Sequence, residues 1–445
     1  MTKPHKPQRN RGREAHETSR PPAPVAPPSA PAASVVVNRR ASDRLRHGHL
    51  WVYASDIDSA AWPESGTAAA PALRQVIDTR GILLGTALYS PSSQIALRMV
   101  SSEALGEAQW LELLAERLRR AIARRKPLLD AENDACRLCF SEADEIPGLV
   151  IDKYSSLVIL QLLAKGLDST AVREACVSVL REELGLAGIA PAAILERPDP
   201  RIRELEGLPA PSPEPLWPPG AGAAAATTQF RLNGLIFHYD ANAGQKTGAF
   251  LDQRTNYAAA REWARQLAAD GRALDMFCYQ GGFALHLAEV CRTVTGVDAS
   301  RASLEVADQN LGANRSRISA QVDWIEADAF ELLRGWSDAG ERFDAIILDP
   351  PAFAKTKRAV EGALRGYKEL NLRALRMLRP GGLLVTCSCS HHVGWADLEA
   401  AVASAAADAP RRVRLLERRG AAPDHPVVLT LPETEYLKCL VLEAE

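Results

Sequence analysis

"DMFCYQGGFALHLA", Asp275 to Ala288, is the stretch on which the fold turns. An apolar run beginning at Ala273 carries Asp275 near its end. Gly281 and Gly282 follow, and apolar residues then recur at helical spacing. The order is strand, tight turn, helix. Glycine backbone at such a turn accepts positive φ and lets a ligand approach closely. The spacing is not G-x-G-x-x-G, so by itself the stretch predicts a strand–turn–helix unit and no particular ligand.

Working outward, the same order repeats. "TVTGVDAS", "VDWIEAD", "DAIILDP" and "LLVTCSC" read as strands, and "SLEVADQNLGAN" and "ALRGYKELNLRALRMLR" read as helices between them. "VVLTL" and "YLKCLVLE" are expected as a closing strand pair. Continuous apolar strands alternating with helices predict an α/β domain with a mainly parallel, doubly wound sheet covered on both faces. Ligands of such sheets bind beyond the C-terminal strand ends. Asp275, Asp298 and Asp328 stand on three successive strand ends. One such aspartate is commonly a helix cap. Three in series after a glycine turn predict an adenosyl cofactor, with Asp298 accepting the ribose hydroxyls and Asp328 the adenine amino group. No phosphate-cradling loop is present, which favours S-adenosylmethionine over a dinucleotide. "DPPAF", Asp349 to Phe353, then forms a rigid corner that presents Asp349 at a strand tip.

The N-terminal half reads differently. Residues 1–33 are Pro/Ala-rich, with Lys3, Lys6, Arg9, Arg11, Arg13 and Arg20 against Glu14 and Glu17, and predict a disordered basic tail. Short β runs over 35–104 predict a small barrel. There Arg39, Arg40, Arg44 and Arg46 lie near Trp51 and Tyr53 in sequence, a pattern that suits RNA as well as a barrel with a wet edge. Residues 105–208 predict a central α+β unit opened by the amphipathic helix "WLELLAERLRRAIARRK", whose arginines suit the helix dipole. Breaker-rich 209–228 reads as a linker, and 229–445 as the doubly wound domain, entered through the hairpin "FRLNGLIFHYD" with Asn233-Gly234 at its turn.

With 445 residues, 47% hydrophobic and 24% charged, the chain has the composition of a soluble multidomain protein. A net charge of −2 means that nucleic acid would have to be held by local basic patches. No run approaches the ~18 apolar residues of a membrane span. Eight cysteines scattered through apolar segments predict reduced thiols and a cytoplasmic location. Cys136 and Cys139 form a lone CxxC, and no metal is expected.

"GQKTGAFLDQR" (Gly244–Arg254), "LDPPAFAK" (Leu348–Lys355), "RGYKELN" (Arg365–Asn371) and "GGLLVTCSCSHH" (Gly381–His392) add to the opening stretch. So do "SEADEIPGLVID" (Ser141–Asp152) and "RPDPRIRELEGL" (Arg197–Leu208). Together, from about Val35 to the C-terminus, they resemble the RlmI-type class I methyltransferases, which modify cytosine C5 in large-subunit ribosomal RNA. The resemblance implies a Rossmann-like class I methyltransferase domain behind a PUA-like RNA-binding barrel. It implies S-adenosylmethionine held by Asp275, Phe277, Gly281, Gly282, Asp298, Asp328, Asp349 and Pro350, and RNA met by Arg44, Arg46 and Trp51. The oligomeric state is left open, a homodimer being one option.

Cytosine C5 chemistry needs a thiolate to add at C6, a group at the N3 edge and a base for the C5 proton. Cys387 and Cys389 are two apart, so a regular strand turns both the same way and spacing does not choose between them. The resemblance selects Cys389, inside Ser-Cys-Ser, as nucleophile and leaves Cys387 as packing. Asp349 is expected to hold the cytosine edge, and the base is unassigned. Ala352 stands where the wider class of RNA cytosine methyltransferases carries a second cysteine. A zinc site from Cys387, Cys389, His391 and His392 lacks the loop needed for tetrahedral closure. Two other functions fit parts of the pattern: a base N-methyltransferase using the Asp-Pro-Pro corner, and an RNA-binding assembly factor with an idle fold.

Overall fold

Among the described residues, four sheets follow one another along the chain. A computed structural model describes residues 1–2, 34–58, 73–212, 214–219, 226–242 and 248–445. The basic tail, Lys246 and part of the predicted linker lie outside them.

The first sheet has the order β1-β3-β4-β5-β2, from β1 (Ser34–Val37), β2 (Trp51–Tyr53), β3 (Leu73–Asp78), β4 (Leu83–Tyr89) and β5 (Ile95–Ser101). Val35, Val37, Val52, Val76 and Leu97 fill its core. Helix α1 (Arg39–Arg46) lies between β1 and β2, where strand and loop were expected. It buries only Ala41 and Ser42, too little for an apolar stripe to show in sequence, and starts on the Asn38 side chain, which accepts from the Ala41 amide.

The central unit packs α2 (Glu107–Arg125) and α3 (Thr170–Leu186) on a sheet of order β6-β7-β8-β9. Its strands are β6 (Ala135–Phe140), β7 (Leu149–Tyr154), β8 (Leu157–Leu162) and β9 (Ala193–Glu196), and α4 (Pro200–Glu206) follows. Trp110, Leu114, Leu118 and Ile122 form the buried face of α2. Its arginines do more than complement a dipole: Arg117 and Arg120 pair with Glu145, Arg119 with Glu182, and Arg124 and Arg125 with Asp144. The predicted linker begins docked, because the Leu216 and Trp217 amides both donate to the Ile194 carbonyl.

The hairpin of β10 (Thr227–Leu232) and β11 (Leu235–Asp240) turns at Asn233 (φ 52°) and Gly234 (φ 82°). Its Tyr239 ring stacks on Tyr154 of β7 at 4.0 Å, which ties the hairpin to the central unit.

The fourth sheet has the order β14-β13-β12-β15-β16-β18-β17. Helix α5 (Arg254–Leu267) leads into β12 (Arg272–Met276), α6 (Gly282–Leu287), β13 (Thr293–Asp298), α7 (Arg301–Ala313), β14 (Gln321–Glu326) and α8 (Ala329–Ala339). Then come β15 (Phe343–Leu348), α9 (Val360–Met377), β16 (Leu378–Ser388), α10 (Trp395–Asp408), β17 (Val413–Arg419) and β18 (Lys438–Ala444). All ladders from β14 to β16 are parallel, and β18 inserts antiparallel between β16 and β17. The closing strand pair differs from the one expected. "VVLTL" is a turn closed by Val428 and Leu431, and the strand on the outer side of β18 is the polar edge strand β17. Strand order reverses between β12 and β15, where the Asp349 amide reaches the Met276 carbonyl at 3.4 Å. That reversal opens the crevice in which a doubly wound sheet binds its ligand.

Candidate active site

The site is built from strand tips. After β12 the chain doubles back through Phe277 (φ 65°), Tyr279 (φ 49°) and Gly281 (φ 84°). A Cβ at Gly281 would lie 3.1 Å from Trp324, and one at Gly282 would lie 2.5 Å from the Tyr257 ring. The glycines therefore serve the turn and its packing, not ligand approach alone. Asp275 is buried beneath the turn. Its Oδ2 accepts from the Ala284 amide at 2.8 Å, while Oδ1 has no partner among the described residues. Burial holds its carboxyl well above the ordinary range. Asp298 accepts from the Tyr279 amide (3.0 Å) and the Ser300 amide (2.8 Å), stitching the tips of β12 and β13 together. Asp328 caps α8 by accepting from the Phe330 and Glu331 amides, so it is a helix cap and a cavity residue at once.

A cavity of about 500 Å³ opens over these tips. Phe277, Gly282, Asp298, Asp328, Asp349, Pro350 and Cys389 line it, whereas Asp275 and Gly281 sit behind its wall. Aromatic rings make up much of the remainder, including Phe250, Tyr279, Phe330 and Phe353. Four aspartates line it, Asp252 being the fourth, and no Lys or Arg stands among the lining residues described. That donor set suits a positively charged adenosyl sulfonium and disfavours the phosphates of a dinucleotide.

At the far side the Asp-Pro-Pro corner meets the end of β16. Asp349 Oδ2 accepts from Gln253 Nε2 at 3.0 Å. Gln253 Oε1 accepts in turn from Asn256 Nδ2 at 2.6 Å, and Asn256 Oδ1 accepts from Arg419 Nε at 3.0 Å. This chain holds the carboxylate in one orientation. Strand β16 ends at Ser388, so Cys389 is the first residue past the ladder, with its Sγ 3.9 Å from the Pro350 carbonyl oxygen. Cys389 is half-buried and the other seven cysteines are buried. Cys387 lies opposite Cys439 across the ladder. Its hydrogen bond with Cys439, reinforced by burial, pushes its thiol well up. The Tyr367 hydroxyl bonds both Ser388 Oγ (2.9 Å) and Ser390 Oγ (3.2 Å), clamping the corner around Cys389.

Residues of the other quoted motifs, and the barrel residues, fall elsewhere. Arg254 is buried, donates to the Ala135 carbonyl at 3.0 Å and pairs with Asp424 at 3.4 Å, facing the central unit. Arg365 pairs with Glu361, and Lys368 with Asp408. In the barrel, Arg44 pairs with Asp56 and Arg46 with Asp78, while Trp51 Nε1 donates to Glu142 of the central unit at 2.9 Å. The exposed basic residues of α1 are Arg39, Arg40 and Arg46. Among the described residues no three His, Cys, Asp or Glu side chains gather as a metal site, and no helix is long and apolar enough to cross a membrane. Asp252, Tyr436 and Lys438 were missed by sequence reading. Asp252 lines the cavity, with Oδ2 accepting from the Tyr436 hydroxyl at 2.5 Å and Oδ1 buried without a partner among the described residues. Only its place as the Asp of "DQR" in the 244–254 stretch pointed to it.

Comparison with known proteins agrees with this geometry. The family model described as S-adenosylmethionine-dependent methyltransferase matches residues 214–441, and one for a PUA-like domain matches 35–102. The chain is 36% identical over 407 residues to a Klebsiella pneumoniae protein named ribosomal RNA large subunit methyltransferase I, covering 91% of this chain and 96% of that one. A protein of the same name from Tolumonas auensis is 35% identical over 416 residues, covering 93% and 100%. A solved SAM-dependent methyltransferase structure from Streptococcus mutans shares the fold at a TM-score of 0.73 and 18% identity, covering 92% of this chain and 99% of that one. The acidic, aromatic crevice at the strand reversal and these matches lead to one conclusion: the chain belongs to the S-adenosylmethionine-dependent methyltransferases, in the family of the ribosomal RNA large subunit methyltransferase I proteins.

Proposed function

We propose that the protein methylates C5 of a cytosine in large-subunit ribosomal RNA, in the cytoplasm, with Cys389 as nucleophile. One observation carries the reading: of eight cysteines, only Cys389 is partly exposed, and it lines the cavity together with Asp349 and the acidic strand tips. Phe277, Gly282, Asp298, Asp328, Phe330 and Pro350 are the residues placed to hold S-adenosylmethionine, with Asp275 and Gly281 shaping the turn behind them. Bound there, the cofactor supplies an electrophilic methyl group on a sulfonium.

Cys389 Sγ adds to C6 of the cytosine, and the electron pair displaced from the ring makes C5 nucleophilic. Asp349, held by Gln253, meets the N3 or amino edge. Once C5 is methylated, its proton must leave so that the ring can expel the thiolate. Asp252, which lines the cavity, supplies the acceptor, directly or through a water. The PUA-like barrel is the RNA-binding module, and Arg39, Arg40 and Arg46 are basic side chains of it exposed to phosphate.

The test is RNA carrying 5-fluorocytosine, incubated with enzyme and cofactor. Wild type is expected to form a denaturation-resistant adduct, and Cys389→Ala to form none and to lose methylation by about a thousandfold or more. Full methylation by Cys389→Ala, or an N-methylated product, would reject the reading.

A further inference from the structure

A buried amine beside Cys389 has no part in the steps above. Lys438 opens β18 and is the ladder partner of Ser388, the residue before Cys389. Its Nζ donates to the carbonyl of Ser390, the residue after Cys389, and to that of Tyr436, both at 2.8 Å. Lys438 is 2% exposed. Both acceptors are neutral, so they orient the ammonium without cancelling its charge. Burying such a charge is costly unless an anion answers it. Burial lowers the proton affinity of Lys438, and the strongest influence against that is the Cys389 sulfur, ahead of Glu435 and Asp397.

The groups around the sulfur come from three elements. Tyr367 of α9 contributes a hydroxyl that burial keeps protonated, Asp349 at the corner after β15 contributes a negative charge, and Lys438 of β18 contributes the cation. His391, two residues on, stacks against Tyr436. Of Tyr367, Asp349 and Lys438, the ammonium is the group whose charge favours a sulfur anion.

We propose that Lys438 is a positioning residue for the nucleophile: its ammonium stabilises the Cys389 thiolate before attack and again when the thiolate leaves. The thiol proton goes to solvent, the S–C6 bond then forms, and on its cleavage the electron pair returns to a sulfur already facing a fixed positive charge. The inference rests on the proposed role of Cys389, and its test is made without RNA.

Full-length protein is alkylated with iodoacetamide across a pH series, and the Cys389 peptide is followed by mass spectrometry. Wild type is expected to show a midpoint below the ordinary thiol value of about 8.5. Lys438→Met should raise the midpoint by about one unit or more. Lys438→Arg should restore most of it. Lys438→Gln, which replaces the ammonium with a neutral donor, covers the case in which the methionine variant does not fold. Its methylation rate should fall near pH 7 and recover at alkaline pH. A wild-type midpoint at or above 8.5, or one unchanged in a folded Lys438→Gln protein, overturns the proposal. Should Cys389→Ala still methylate cytosine, the nucleophile role is lost while the titration result stands, so the two failures are told apart.

Discussion

At the scale of single residues, the site depends on two side chains held in fixed orientations, Cys389 and Asp349. The pair of thiols two residues apart could not be separated by strand alternation. What separates them is where β16 stops: Cys387 is inside the ladder against Cys439, and Cys389 is beyond it. No periodicity marks the last residue of a ladder, so this distinction was readable only through resemblance. Cys387→Ala should therefore keep methyl transfer near wild type while costing about 1–2 kcal/mol in urea unfolding, through a small cavity. Gln253 is the opposite case. It was legible as part of a motif but not as the group that orients Asp349. Gln253→Leu removes the 3.0 Å bond to Asp349 Oδ2. Its kcat should fall about ten- to a hundredfold with cofactor affinity nearly unchanged, because only the geometry at the reacting edge is lost. Calorimetric cofactor binding beside single-turnover methylation separates the two quantities, and an equal loss in both would count against this role.

At the scale of elements, buried parallel strands were legible because both faces are covered and their apolar runs are continuous. The edges were not. β17 reads "VRLLERR", an exposed polar edge, and lies outside any hydrophobic pattern, while "VVLTL" has strand composition but folds as a turn. The corner between β16 and α10 matters most for chemistry. It is held by the Tyr367 hydroxyl from α9, by Lys438 from β18 and by the Ala354 amide, which donates to Ser390 Oγ at 3.2 Å. Three elements thus converge on three residues, and none is near them in sequence. Tyr367→Phe keeps the ring against Phe353 and deletes the clamp on both serines. It should cost about 1–2 kcal/mol of stability, since two buried hydroxyls lose a partner. It should also slow methyl transfer without changing cofactor affinity. A variant with lower thermal stability but unaltered single-turnover rate would show that the clamp does not position Cys389.

At the scale of the whole molecule, the crevice is joined to the central unit through buried charges. Asp424 sits at the junction: its Oδ2 accepts from the Arg137 amide of β6 at 2.9 Å, and its Oδ1 pairs with Arg254 of α5 at 3.4 Å. Arg125 of α2 donates to the Asp424 carbonyl at 3.1 Å. Such contacts join residues hundreds of positions apart, which is why the domain order was legible in the sequence and the way the domains are joined was not. Burial pushes the Asp424 carboxyl up, but His425, Arg254 and the Arg137 amide outweigh it and bring its pKa down to about 2. A carboxyl whose folded pKa lies below its unfolded value of about 3.9 stabilises the fold above that value. The contribution is lost as pH falls through 4 toward 2. Asp424→Asn should therefore be less stable than wild type by about 2 kcal/mol at pH 7. Urea midpoints measured by circular dichroism should keep that gap constant from pH 7 to about pH 5 and close it progressively below pH 4. A gap that does not narrow in acid would mean that the cost comes from packing and hydrogen-bond geometry, with the ionised carboxylate contributing nothing of its own to the junction.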